Sequence, residues 1–393
     1  MKLSPLVIFL IGAVSVVHSL TIDGSEPTVT FQNTSPLFAT YKTEFLTKMN
    51  DQVKVAFGKT LDTARANLVS FKQQKKLARA FGNANAYSVN SATLQGFQNY
   101  SLFAVASGFM VGVQAPSLDL GYYGQIAKDI KKNGDLYAGA GVGFSYLNLG
   151  INAGMLVPGL YVNAKYGALK QKIQDFDMDF SVMGFGVNYR LLDTKSLAGI
   201  IKWRGLSLGS GFYLQKDKLN IHIVPDSIET NSHFRQLVLS GSSSSDSASK
   251  NILLNEMGYT DDAHDARVIL TPAFDMGLDV STMTIPIDAV TGVSLLWGTI
   301  NLTAGVGLDL NLGSSKVVLR GDSDARITSD TTKVTFTKAT VKVDGSTTAA
   351  PNFSRIRIMS GLGLGLGPIK LDIPVIYYPV SGFAFGATVA VVW

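Results

Sequence analysis

Beyond the first twenty residues the chain has three histidines, His222, His233 and His264, and none stands in a Gly-x-Ser-x-Gly or His-Glu-x-x-His setting. With no cysteine in 393 residues, a thiolate nucleophile, a thiolate zinc site, a disulfide scaffold and a lipid-modified N-terminal cysteine are all ruled out. Asp261-Asp262-Ala263-His264-Asp265 offers ligands for a divalent cation, and reads more simply as a solvated acidic turn. No enzyme is expected, and no cofactor or metal is implied. Two groups remain. Arg320-Gly321-Asp322 matches an integrin-type adhesion tripeptide, although a turn with glycine at its centre is much the simpler account. Arg355, Arg357, Lys370 and Asp372 fall at positions of adjacent strands that point the same way, where they could line a permeation path, anchor an internal plug, or pair with each other.

The elements that must position these side chains alternate with period two. From Thr299 to Leu312 the even positions are Ile300, Leu302, Ala304, Val306, Leu308, Leu310 and Leu312, and the odd ones are Thr, Asn, Gly and Asp. That is a strand with one apolar face. Segments 354–366, 368–378 and 382–393 repeat the pattern, with weaker versions at 100–113, 136–146, 148–157, 160–170, 175–190, 200–215, 266–281 and 285–297. Turn arithmetic gives matching faces in three hairpins: Leu366 beside Ile369 and Leu364 beside Leu371, Leu295 beside Ile300 and Val293 beside Leu302, Tyr377 beside Phe383 and Val375 beside Phe385. The second face carries Gly, Ala, Ser and Asn rather than the Lys, Glu and Asp of a solvated sheet. Small residues inside and bulky ones outside fit a closed transmembrane barrel, because an open edge in hydrocarbon would strand backbone polar groups.

Composition agrees. Charged residues make up 16% of the chain and the mean hydropathy is +0.21, against ~25% charged in soluble domains. Residues 1–19 read as a cleaved signal peptide, with Lys2, an apolar run from Leu6 to Val17 and a small-residue site at Ser19. No later window is long and apolar enough for a spanning helix. The expected plan is therefore mainly β: an antiparallel transmembrane β-barrel over 98–393, with long polar inserts at 226–265 and 313–353, preceded by a helical segment over 20–97. The twelve strand candidates become fourteen, the favoured number, with additional strands near 118–124 and 251–259, which place both inserts outside when both termini face the periplasm. A phase slip at Ser181–Gly184 suggests a bulge, and Pro272, Pro286 and Pro374 each suggest a bulge or a strand boundary.

Residues 36–81 carry apolar residues at helical spacing, including Phe38, Tyr41, Phe45, Phe57 and Phe71, with nine basic groups to three acidic ones. Residues 82–393 hold 24 of each sign, so the pI near 9.1 comes from this segment and is no nucleic-acid signature. Its two readings are a plug in the lumen and a periplasmic extension that meets anionic lipid or cell-wall polymer; Gly82-Asn-Ala-Asn-Ala is read as the link to the first strand.

The cleavable signal, the alternating strands and a last strand carrying Phe383, Phe385 and a terminal Trp393 resemble bacterial outer-membrane β-barrel families. In that resemblance the terminal aromatics imply recognition by barrel-assembly machinery. Gly82-Asn-Ala-Asn-Ala, Trp203-Arg-Gly-Leu and Leu302-Thr-Ala-Gly-Val-Gly-Leu-Asp-Leu are similar to spirochaete, treponeme-type outer-membrane proteins. The overall plan is similar to long-chain fatty-acid transporters, without their Asn-Pro-Ala motif. The resemblance implies the outer-membrane bilayer as partner and passive or gated uptake of small, hydrophobic or other, molecules. Adhesion through 313–353 and a soluble secreted β protein are the alternatives.

Overall fold

The computed structural model of the chain describes residues 74–92, 100–115, 138–223, 244–256, 273–328 and 339–393 except 380, with short stretches between 21 and 58 and at 228–232, 266–271 and 334–337. Strands β1 (Thr21–Ser25) and β2 (Val29–Phe31) precede helix α1 (Gln74–Ser88). There follow β3 (Phe103–Gln114), β4 (Gly139–Asn152), β5 (Leu160–Ile173), β6 (Phe176–Leu192), β7 (Lys195–Ala198), β8 (Ile201–Ile223) and β9 (Ile228–Ser232). After helix α2 (Ser244–Glu256) come β10 (Ala266–Thr271), β11 (Phe274–Leu295), β12 (Ile300–Thr328) and β13 (Val334–Phe336). The chain ends with β14 (Ala339–Ala349), β15 (Ser354–Leu366), β16 (Ile369–Tyr378) and β17 (Gly382–Val392).

Antiparallel pairing runs β12-β11-β8-β6-β5-β4-β3-β17-β16-β15 and returns from β15 to β12, so that ten strands close a barrel. The full path takes in β14 and β1 as well, twelve strands, within the expected twelve to fourteen. All three hairpin registers are as the sequence dictates: Leu366↔Ile369, Leu295↔Ile300 and Tyr377↔Phe383. The lipid-side assignment holds too. Leu302, Leu364 and Phe385 are 47%, 37% and 42% exposed, whereas Asn301, Thr303 and Asp309 on the opposite face of β12 are buried. A buried apolar core at the first set would have meant a soluble protein.

Several expectations are corrected. Candidates 136–146 and 148–157 are one strand, β4, carrying the only shift in its pairing with β3 opposite Ala106/Gly108. Candidate 285–297 joins the second half of 266–281 in β11, and the first residues of the latter form β10. Neither Pro286 nor Pro374 breaks its strand: each leaves a gap in the ladder to one neighbour, β8 or β17, while pairing persists in register with the other. A missing N–H removes one bond, and the ladder on the other side of the strand holds the residue in place. Pro272 and 118–124 lie outside the described residues; 251–259 falls largely in α2, not in a strand.

The phase slip in β6 is not a bulge. Pairing through Ser181–Gly184 is unbroken with both β5 and β8, so the side chains keep alternating and it is the surroundings that change. Below this level the outward residues are Met183, Phe185, Val187 and Tyr189; above it they are Asp177, Asp179 and Ser181. Strand β12 inverts at the same level: outward residues run Ile300 to Leu312, then Ser314, Lys316, Arg320, Asp322 and Asp324, while the buried inward ones pass from Asn311 to Val317 and Leu319. The register Gly313↔Thr282↔Gln215↔Val182 joins the four strands across this boundary. From Ile300 to Leu312 the apolar belt runs roughly 40 Å along the strand at ~3.3 Å per residue, or roughly 28 Å of height at a ~45° tilt, one hydrocarbon thickness. Beyond it the strands rise into water, so apolar side chains turn inward.

The segment 313–353, expected as a polar insert, is thus largely strand: β12 continues to Thr328 and its upper half pairs with β14. The region 226–265 includes β9 and α2. Arg320-Gly321-Asp322 is extended rather than a turn, with Arg320 opposite Asp275 and Asp344 and Asp322 opposite Lys342.

The N-terminal part is on the opposite side from the C-terminus, which corrects the placement of both termini on one face. Strand β1 pairs with β14 above the belt, and Leu77, Ala78 and Phe81 of α1 pack with Val280 and Val317 at the same level. At the lower end Asn152 Nδ2 donates to the carbonyl of Tyr100 (3.2 Å), and Leu102 N–H to that of Trp393 (2.8 Å). The chain therefore descends through the lumen before β3 begins. Upstream, the described residues between 39 and 58 are helical, and Glu44 accepts from Lys250 of α2 at 2.6 Å and pairs with Lys48 at 3.1 Å, which holds its carboxyl below the usual range. An epitope inserted between Ser25 and Thr28 and another after Trp393 are expected on opposite faces of a sealed vesicle. Protease access to both from one side would contradict the threading.

Candidate functional site

Helix α1 fits the lumen because its middle, Gly82-Asn-Ala-Asn-Ala, is small and polar, while Leu77 and Phe81 join an apolar cluster at its upper end. Ala78, Ala80, Ala84 and Ala86 are buried beside Asn83, Asn85 and Ser88, a composition that suits a wall of glycines and polar groups rather than an apolar core. The wall meets it with Gly112 of β3 and Gly139, Gly141 and Gly143 of β4. A Cβ at Gly141 would lie 2.5 Å from the backbone N of Asn85, and one at Gly139, Gly112 or Gly143 would strike backbone of Ala80, Ala84 or Ser88. These glycines let helix backbone and strand backbone touch.

Polar contacts complete the seating. Thr282 hydroxyl donates to Asn85 Oδ1, and the Asn352 N–H to Asn83 Oδ1 at 2.7 Å. Gln215 Nε2 donates to Ser88 Oγ at 2.8 Å, and Tyr87 OH to Gln114 Oε1 at 3.0 Å. Past the helix, Lys165 Nζ donates to the carbonyl of Val89 and Asn148 Nδ2 to that of Ala92 at 2.7 Å. The Tyr87 ring stacks on Tyr378 with centroids 3.7 Å apart.

Tyr378 links the helix to a buried ion cluster. Arg357, 1% exposed, donates through Nη2 to Asp288 Oδ2 at 2.8 Å and places Nη1 3.2 Å from Asp309 Oδ1. Tyr378 OH donates to Asp309 Oδ2 at 3.0 Å. Strands β11, β12 and β15 thus meet at one guanidinium flanked by two carboxylates, and β16 joins them through the Tyr378–Asp309 bond.

The structure faces all four of the lumen residues named from the sequence inward. Arg357 belongs to the cluster just described. Arg355 is half-buried near the top of β15, Asp372 is buried opposite Gly363 and Thr388, and Lys370 lines a cavity at the lower mouth. The partners Asp288 and Asp309 were not picked out; Asp309 was legible on the odd face of β12, but its meeting with Arg357 needs the β12–β15 pairing across 313–353. Among the residues picked for a plug, Phe57 is buried, whereas Phe38, Tyr41, Phe45 and Phe71 lie outside the described residues, as does Asp261–Asp265. The helix in the lumen contains Gly82-Asn-Ala-Asn-Ala, read from sequence as a link. Arg320 and Asp322 are exposed above the belt. Phe383, Phe385 and Trp393 lie on the outward face of the last strand, and Trp393 stacks on Phe103 at 4.5 Å. Among the described residues no cluster of three or more His, Asp and Glu is placed to hold a metal.

Several solved structures show slight similarity to the chain. The monoaromatic hydrocarbon channel CymD is 10% identical, with 81% of this chain and 97% of that one covered at a TM-score of 0.24. The translocator domain of the autotransporter NalP from Neisseria meningitidis is 8% identical over 75% and 90% at 0.25. The Pseudomonas putida toluene transporter TodX is 9% identical over 80% and 96% at 0.20. Likeness this slight carries no inference, and the architecture rests on the strand pairing. No curated protein matches the sequence. A family model described as Lsa36-like matches residues 37–393. That span takes in α1 and every strand of the ring, and the chain belongs to the Lsa36-like family.

Proposed function

We propose that this is an outer-membrane channel held closed by α1, which leaves the lumen, or shifts within it, to admit small solutes. The observation that carries the reading is the helix seated on wall glycines inside a closed, lipid-facing barrel. A helix is about 10–12 Å across with its side chains, so a ten-stranded ring filled by one leaves little free section. The contacts that hold it are mainly polar, and water replaces such bonds at little net cost, about 1 kcal/mol each. The lining at belt level, with Thr282, Thr284, Asn311, Gln215 and Asn148, favours small polar solutes over hydrophobic ones. Similarity of plan to long-chain fatty-acid transporters supports a channel only in outline. The outward aromatics of β17 support recognition by assembly machinery, and the signal peptide supports export.

In planar bilayers the full chain is expected to give rare, small openings, and a variant lacking residues 20–92 steady conductance. Because the chain has no cysteine, Ser88→Cys with Gln215→Cys provides a clean lock that should silence the full chain until reduced. A folded deletion variant with no conductance would overturn the reading.

A further inference from the structure

The lower mouth holds a cavity of about 420 Å³ that the helix leaves unfilled. Its wall brings Lys202 and Arg204 of β8 together with Lys370 of β16, and no acidic residue is among the described residues that line it. Asp372 lies within electrostatic reach of Arg204, outside the cavity lining itself. The remaining wall is amphipathic: Tyr100, Ile201 and Val392 on one side, and Trp297 at the rim. Cations converging from separate strands repel one another, and an anion seated among them relieves that repulsion. The volume falls in the range of small-molecule sites.

We propose that this mouth is a binding site for organic oxyanions, a carboxylate or phosphate head among Lys202, Arg204 and Lys370 with a short apolar body against Tyr100 and Ile201. The site stands apart from the buried Arg357 cluster and does not depend on permeation. A failure here therefore leaves the channel reading intact.

Trp297 gives the test its signal. The full chain in a non-ionic detergent is titrated with benzoate, phenyl phosphate and benzyl alcohol, followed by tryptophan fluorescence and by calorimetry. One or both anions should bind saturably, and which of them does so identifies the head group preferred; benzyl alcohol should not. Lys202→Gln with Lys370→Gln should weaken the anion about tenfold or more, a change of ~1.4 kcal/mol or more, and raised salt should weaken it further. Trp297→Phe should remove the fluorescence change and keep the calorimetric binding. No anion binding, binding of benzyl alcohol as tight as that of the anions, or unchanged affinity in a double variant that keeps the folded gel mobility would each overturn the proposal.

Discussion

Arg357→Met is expected to cost about 3–5 kcal/mol, the range for removing one partner of a buried ion pair. The guanidinium is the cation that meets both Asp288 and Asp309, and Asp309 is 1% exposed. With methionine there, two carboxylates are left without their cation, Asp309 buried and Asp288 mostly so. Arg357→Lys should recover only part of the loss, since a single ammonium cannot reach both acids with the geometry of a fork. Adding Asp288→Asn and Asp309→Asn to Arg357→Met should recover much of it, because the uncompensated charge goes with them. Urea unfolding followed by gel mobility in the folded and heated forms measures each step. A loss below ~1 kcal/mol in the single variant would mean that the cluster is wetter than the structure has it.

Gly141→Leu should drive α1 out of the lumen. The new Cβ starts 2.5 Å from the backbone N of Asn85, and no rotamer change relieves the contact, since the Cβ position is fixed by its own backbone and the atom it meets is backbone. Overpacking of this kind costs about 1–3 kcal/mol where the surroundings can adjust, comparable with the sum of a few of the polar bonds that seat the helix. The barrel ladder does not depend on the helix, so the ring should survive with its lumen open. Trypsin cleavage at Lys75, Lys76 and Arg79 should speed up and bilayer conductance should rise. Gly298→Ala is the companion control: nothing lies within 4 Å of its Cβ, and although its φ of +93° makes alanine strained, the change is remote from the helix and should leave α1 seated. A Gly141→Leu chain as closed as the original would show that the glycines do not set the fit.

The sequence carried the local facts well and the distant ones poorly. Hairpin registers follow from turn length and matching faces, so Leu366↔Ile369, Leu295↔Ile300 and Tyr377↔Phe383 were within reach of arithmetic. The belt was legible because lipid demands bulky residues on one face of β12, β15 and β17. What failed was the assumption that one rule holds along a whole strand. At Ser181 and at Gly313 the exterior passes from lipid to water, the apolar face changes sides, and the pattern imitates a bulge or the start of a loop. The lumen helix escaped for a related reason: where it faces wall glycines and polar groups rather than an apolar core, Gly82-Asn-Ala-Asn-Ala lacks the amphipathic stripe by which helices are found. The Arg357 cluster joins strands far apart in the chain, and no hairpin rule reaches that far.

The passage of the chain down the lumen before β3 starts makes the molecule a bead on its own string. Its seam is the β17–β3 ladder, the last strand zipping to the first. Either the string already lies across the open sheet when this seam zips, or the whole leading stretch must afterwards be fed through a bore one helix wide. The order of these two events, rather than the stability of either, decides whether a newly made copy ends loaded or empty.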